Sequence, residues 1–161
     1  MAPVPPGTSA VEHEVRISAP PKTVFSYLTD PVKLARWMGE ATMDPRPGGV
    51  FRAETIDGSL LLGRFVAVEP YTRVVFTWGF ETRVFGMPPQ STEVEVTLTP
   101  EDDGTTLRLV HRDLPEEAVE FHRVGWGHYL ERLIVAGAGG DPGPDPWRAA
   151  SESGPADDAP S

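Results

Sequence analysis

The stretch LPEEAVEFHRVGWGHYLERLIVAG, residues 114–137, decides the fold of this chain. Pro115 followed by Glu116 and Glu117 indicates a helix start, because acidic side chains favour the positive end of the helix dipole. Gly137 indicates the helix end. The predicted helix is about 30 Å long, enough to cross a whole sheet. On a helical wheel its inward face holds Ala118, His122, Gly125, Trp126, Tyr129, Leu133 and Ala136, and its solvent face holds Glu116, Glu120, Arg123, Gly127 and Glu131.

Strand patterns occupy most of the chain before this helix. In VEHEVRIS, residues 11–18, apolar and charged side chains alternate, and the same period of two recurs in VVFTW (74–78), TEVEVTL (92–98) and TLRLVH (106–111). Such alternation is typical of antiparallel strands with one covered face and one wet face. Turn signals such as Asp57–Gly58 and Glu69–Pro70 separate the strands. Residues 79–90 are irregular, and we expect a loop with exposed Phe80, Phe85 and Met87.

Two short helices are predicted between the first strand and the remaining strands. Pro20 and Pro21 suit the first turn of a helix, and Asp30 before Pro31 is a typical cap for a second helix. Gly39 is the expected end of this region. The predicted fold class is therefore α+β: a curved antiparallel sheet of about six to seven strands around a long C-terminal helix, with two short helices after the first strand.

Composition limits the folded domain and its partners. The 161 residues include 18 prolines and 16 glycines, many of them in the predicted disordered tails at residues 1–10 and 138–161, which leaves residues 11–137 as the domain. A net charge of −10 disfavours nucleic acids, and the lack of cysteine excludes thiolate chemistry. No apolar run approaches the roughly 20 residues that a membrane span needs, so we expect a cytoplasmic protein without membrane insertion.

Several segments, taken in order, resemble a known family. They are ISAPPKTVFSYLTDPVKLARWMG, RPGGVFRAE, a DG turn before LLLGRFVAVEPYTRVVFTW, TEVEVTLTP and GWGHYLERL. They are similar to the START-like, or SRPBCC, superfamily with its helix-grip fold, and within it to homologues of the heat-shock protein 90 ATPase activator. The resemblance implies a deep cavity between sheet and helix that, across the superfamily, holds lipids, hormones or polyketides.

Two tempting catalytic patterns in the sequence are set aside. HRDL, residues 111–114, mimics a kinase catalytic loop, but Ala118 stands where that loop needs an asparagine. Asp113 is instead predicted in the N-cap region of the long helix. His122 and His128 are six residues apart and do not share a helix face, so no metal site is predicted. We expect His128 in a surface pair with Glu131.

The predicted site is therefore a ligand cavity with no catalytic residue, metal or cofactor. The partner is a small apolar or amphipathic ligand bound without catalysis, and a homodimer is left open. One alternative is a polyketide cyclase or aromatase-like enzyme that uses His111, His122 and Tyr129. Another is a chaperone-related interaction module, with a chaperone partner less favoured. The predicted cavity residues are Trp37, Phe51, Phe65, Phe76, Trp78, His111, His122, Trp126 and Tyr129.

Overall fold

One antiparallel sheet of seven strands packs against a long C-terminal helix in this computed structural model, which describes residues 8–54, 60–80, 87–143 and 145. The strand order is β1-β7-β6-β5-β4-β3-β2. The predicted helix-grip α+β fold is confirmed. Along the chain the elements are β1 (Thr8–Ile17), α1 (Pro21–Thr29), α2 (Pro31–Leu34), β2 (Ala41–Met43), β3 (Val50–Glu54), β4 (Leu60–Glu69), β5 (Arg73–Trp78), β6 (Thr92–Glu101), β7 (Gly104–Pro115) and α3 (Glu116–Gly137).

The two faces of the sheet differ as the alternation predicts. Val94 and Val96 of β6 are buried, whereas Glu95 between them lies on the outer face. Arg73 Nε and Arg112 Nη2 donate to the Glu95 carboxylate over 2.7 Å and 2.9 Å. These two bonds hold the pKa of Glu95 below its usual value. The outer face therefore carries paired charges across β5, β6 and β7.

The predicted helix pair follows β1 directly. Pro21 is the first residue of α1, and the Asp30 side chain accepts a hydrogen bond from the Val32 backbone at the start of α2, as expected for a cap. The second helix ends at Leu34, before Gly39. Trp37 follows it, and its Nε1–H donates to the Tyr27 carbonyl over 3.0 Å, which turns the indole into the core.

Helix α3 has the predicted limits, but its start differs in one respect. Asp113 does not cap it: this residue lies in β7 with φ of 68°, and Pro115 occupies the N-cap position without a side-chain hydrogen bond. The reason is that β7 stays paired with β1 as far as Pro115, so the helix begins too late for Asp113. None of the helices that the structure describes is long and apolar enough to cross a membrane.

The covered face of α3 is wider than the helical wheel predicts. Gly127, expected on the solvent face, is half-buried beside β1, where a Cβ atom would lie 3.7 Å from the His13 ring. His13 Nε2 donates to the Arg123 carbonyl of the same helix over 3.0 Å. The correction arises because α3 packs against β1 as well as against the interior of the sheet.

The segment after β5 also packs more closely than predicted. Phe80 and Met87, expected to be exposed, are buried, and the Phe80 backbone N–H donates to the Met87 carbonyl over 2.9 Å. Phe80 forms an isolated bridge with Leu61 of β4, so the chain folds back onto the sheet here. Phe85 and the Asp57–Gly58 turn lie outside the described residues.

Ordered contacts extend beyond the predicted domain limits of 11 and 137. At the N-terminus β1 begins at Thr8. After α3, the Gly143 carbonyl accepts a hydrogen bond from the Arg132 side chain over 2.8 Å. The same guanidinium donates to the Arg36 carbonyl over 3.2 Å. His128, expected at the surface with Glu131, instead bonds to buried Asp145 over 2.7 Å. We call residues 138–143 and 145 the C-terminal clasp; the remaining tail residues lie outside the described part.

We predict that Arg132→Met lowers the free energy of unfolding by about 2 kcal/mol. The reason is that the carbonyl groups now bonded to the Arg132 guanidinium would lose a charged donor. Arg123→Met is the matched control on the same helix. The exposed Arg123 guanidinium pairs with Glu120, the one side-chain contact described for it. We therefore expect its free energy of unfolding to change by less than about 0.5 kcal/mol. Urea unfolding measures both, and equal effects would contradict the clasp.

Candidate functional site

The nine side chains predicted to line a cavity come together in one buried cluster. Each is at most 4% exposed, and ring contacts join all nine into a single set, which we call the ring cluster. Phe51 stacks on Phe76 with centroids 4.3 Å apart, and Phe65 packs edge-on against Phe51 at 5.5 Å. The set continues through Phe76–Trp78, Trp78–Trp126, Trp78–His111, Trp78–His122, Trp126–Tyr129 and Tyr129–Trp37.

Five elements and the segment after α2 contribute to the ring cluster. Phe51 comes from β3 and Phe65 from β4, while α3 supplies His122, Trp126 and Tyr129. The α3 backbone runs closest to β1, so large rings fill the space between the helix and β5. There the indoles of Trp126 and Trp78 meet with centroids 5.0 Å apart. Aromatic side chains therefore join the helix to the central sheet at this point.

Phe80 belongs beside this cluster, although the sequence reading placed it at the surface. Its ring lies 6.2 Å from Trp78 and 6.4 Å from His122, centroid to centroid. A signal for it exists in the sequence, because Phe80 continues the alternation of Phe76 and Trp78 along the same face. The glycine at position 79 and the prolines at 88 and 89 predict a loop instead, because these residue types are typical of turns.

His111 is held by hydrogen bonds at both ring nitrogens. Trp126 Nε1–H, which can only donate, is 3.0 Å from His111 Nδ1, so Nδ1 accepts and the imidazole proton sits on Nε2. His111 Nε2–H then donates to Thr92 Oγ1 over 2.7 Å, and the Thr92 hydroxyl donates to the Trp78 carbonyl over 2.7 Å. Thr92 is a site residue that sequence reasoning missed, since a threonine at a strand start carries no distinctive pattern.

His122 is also fixed as a neutral imidazole. The Ala118 carbonyl can only accept, so His122 Nδ1 carries the proton and donates to it over 2.9 Å. Burial lowers the pKa of His122, and the Ala118 bond partly opposes this. Burial lowers the pKa of His111 well below its usual value, with further lowering by His122 and Arg112. Both histidines therefore stay uncharged at neutral pH.

These bonds restrict the chemistry that the cluster can perform. His111 cannot take up a proton at Nδ1 without losing the Trp126 bond, which argues against a role as a general base. His122 retains a lone pair on Nε2 in its neutral form. Nowhere in residues 8–54, 60–80, 87–143 and 145 do three His, Asp or Glu side chains form a metal-binding group. The arrangement is thus mainly aromatic with few polar groups.

Comparison with known proteins agrees with this architecture. A family model described as "Activator of Hsp90 ATPase homolog 1-like protein" matches residues 18–136. The chain belongs to this family. A comparison with curated proteins finds no match.

Solved structures of similar proteins share the fold of this AHSA1-like chain. An AHSA1-like protein from Rhizobium etli is 40% identical, with 91% of this chain and 92% of that chain covered and a TM-score of 0.70. CalU16 from Micromonospora echinospora is 32% identical, with 92% and 86% covered and a TM-score of 0.71. DynU16, a protein in the dynemicin biosynthetic locus, is 29% identical with a TM-score of 0.70, and 83% of this chain matches 48% of that one.

We predict that acid destabilises the fold below about pH 6.5 through His111 and His122. Their folded-state pKa values lie below the unfolded value near 6.5, so the unfolded chain binds more protons as the pH falls. The stability that the two neutral histidines contribute is fully present above that pH. Each histidine costs up to about 1.4 kcal/mol per pH unit on acidification.

Urea unfolding between pH 7.5 and 5.5 measures this slope. The variant His122→Asn cannot titrate at this position, so the slope contributed by the two histidines should fall by about half. A variant with the wild-type slope would contradict the assignment to His122.

Proposed function

We propose that this AHSA1-like protein binds a small apolar or amphipathic molecule between the sheet and α3, without catalysis. The observation that carries the proposal is the ring cluster itself, which fills the gap between α3 and β5 with large flat side chains. A flat or elongated apolar ligand can separate these rings and replace their contacts with its own. Ligand sites of this kind are typically lined by aromatic groups with a few polar anchors.

Two glycines support this proposal because they weaken α3 beside Trp126. A Cβ atom at Gly125 would meet nothing within 4 Å, and one at Gly127 would make only an ordinary contact with His13. Close packing therefore requires neither glycine. Each costs a helix interior about 1 kcal/mol relative to alanine. We infer that this loss serves ligand entry, since a softer helix lets Trp126 move away from β5.

The hydrogen bonds of His111 favour binding over catalysis, and two relatives bear on the kind of partner. His111 uses both ring nitrogens to hold α3, β6 and β7 together, which is a structural task. DynU16 lies in a biosynthetic locus, and CalU16 matches almost the whole of this chain. These similarities make a small organic molecule a more reasonable partner for this chain than a macromolecule.

We predict that neutral polycyclic aromatic or fatty molecules raise the melting temperature. A ligand at about 100 times its Kd adds about 2.7 kcal/mol of stability, which corresponds to a shift of roughly 5–10 °C. Trp78→Leu should abolish the shift because it removes the central ring. The control Leu107→Val changes a buried residue outside the ring cluster and should keep it.

Native mass spectrometry of freshly purified protein provides a second readout, with a co-purified small molecule as the expected result. A ligand-free mass together with no shift across the whole panel would contradict the binding proposal. That outcome would favour the interaction module, in which the surface of this fold is the working part.

We further predict that Gly125→Ala raises the free energy of unfolding by about 1 kcal/mol while it slows ligand association. Alanine restores helix propensity and meets no atom within 4 Å. Stopped-flow tryptophan fluorescence with a ligand from the panel measures the association rate. A stabilised variant with an unchanged rate would contradict the role of this glycine in entry.

The enzyme alternative has one supporting observation. His122 is a neutral imidazole in an apolar surrounding, next to Trp78 and Phe80. A cyclase or aromatase-like step would use this imidazole to remove a proton from a bound polyketide. His122→Gln would then abolish turnover of such a substrate and leave its Kd within about threefold, whereas a pure binder shows no turnover in either form.

A further inference from the structure

The indole N–H of Trp78 lacks a hydrogen-bond acceptor in the described part of the chain. Trp78 is 3% exposed, and its Nε1 atom is inaccessible to solvent. A buried donor without an acceptor costs about 1–3 kcal/mol, so native proteins seldom retain one without a reason. This cost falls in the middle of the ring cluster.

Two other buried indoles of the core show that this is not a general feature of the fold. Trp37 Nε1–H donates to the Tyr27 carbonyl, and Trp126 Nε1–H donates to His111 Nδ1, both over 3.0 Å. Trp126 and Trp78 are neighbours, with ring centroids 5.0 Å apart. Of these three indoles, the one at the centre of the proposed binding region is the one left unpaired.

The surroundings of Trp78 restrict what can approach its N–H. Its indole contacts rings from β5, β7 and α3, including His111 at 5.3 Å and Trp126 at 5.0 Å between centroids, so an acceptor must enter the ring cluster. Arg112 of β7 points to the outer face, where it pairs with Glu95. No Lys or Arg of the described residues is buried. Among these described residues an anionic ligand would therefore find no buried cation, and burying it there would be costly.

We propose that Trp78 Nε1–H is the polar anchor of the binding site, and that the ligand is an uncharged, largely apolar molecule carrying a carbonyl oxygen. This inference rests on the proposed function and narrows its ligand class. The carbonyl accepts the hydrogen bond for which Trp78 Nε1–H has no acceptor among the described residues, while the rest of the ligand lies against the rings. A hydrocarbon of the same shape leaves the donor unpaired.

The test uses 9-fluorenone and fluorene, two flat molecules of the same shape, of which only the first has a carbonyl. Kd values are measured by titration for the wild type and for Trp78→Phe, which keeps a ring and removes the donor. The ratio of the two Kd values, compared between proteins, cancels the difference in hydrophobicity between the compounds. The indole signals of ¹⁵N-labelled wild type, assigned with the variant, report directly on the Trp78 N–H.

We expect the preference for 9-fluorenone over fluorene to be about tenfold greater in the wild type than in Trp78→Phe, which corresponds to one hydrogen bond. The Trp78 indole proton should shift downfield with 9-fluorenone and not with fluorene. Without ligand, Trp78→Phe should lose less stability than Trp126→Phe, because both changes shrink a buried ring but only Trp78→Phe also removes an unpaired donor. Trp126→Phe, the control, should lose stability because it leaves His111 Nδ1 without a donor.

Two results would overturn the anchor while the binding function stands: an equal preference in both proteins, or an indole signal that responds alike to both compounds. Binding of neither compound would contradict the anchor and the proposed function together. Because the indole measurement uses the wild type, the test does not depend on the folding of either variant.

Discussion

The hydrogen bond from Trp126 to His111 is the contact on which the interior of this protein depends. It joins α3 to β7 and requires a neutral histidine, which burial among aromatic rings maintains. His111 also donates to Thr92, whose hydroxyl donates to the Trp78 carbonyl. One chain of hydrogen bonds therefore connects the helix with three strands. The ring cluster keeps its arrangement because these polar groups fix the rings at its centre.

The charged side chains of the described residues pair away from the ring cluster. Arg73, Arg112 and Glu95 pair on the outer face of the sheet, and the clasp around Arg132 lies beyond the far end of α2. Inside, the polar groups of the cluster are neutral. Trp78 and Trp126 are chemically alike and adjacent. The N–H of Trp126 bonds to His111, whereas the N–H of Trp78 has no acceptor among the described residues. The two indoles therefore differ in their hydrogen bonding and not in their chemistry.

Much of the fold and the membership of the ring cluster could be predicted, because periodicity reports which face of each element is covered. The errors have physical causes. Gly127 was placed in solvent because a wheel assumes one covered face, whereas α3 also packs on β1. Asp113 is a good capping residue in the wrong place, since strand pairing runs on to Pro115. The clasp was missed because Asp145, within a Pro- and Gly-rich segment, is buried by contacts from distant Arg132 and His128.

The sequence by itself determined the order of elements, the two faces of the sheet and the family, since these follow from local patterns of side chains. Only the tertiary structure decided which polar atoms are paired. The role of His111 depends on its hydrogen bonds to Trp126 and Thr92, which lie 15 and 19 residues away along the chain. The same holds for the N–H of Trp78, which has no acceptor in the described part of the chain. Hydrogen bonding between distant residues leaves no periodic signal, so only the folded structure shows which polar groups hold the ring cluster together.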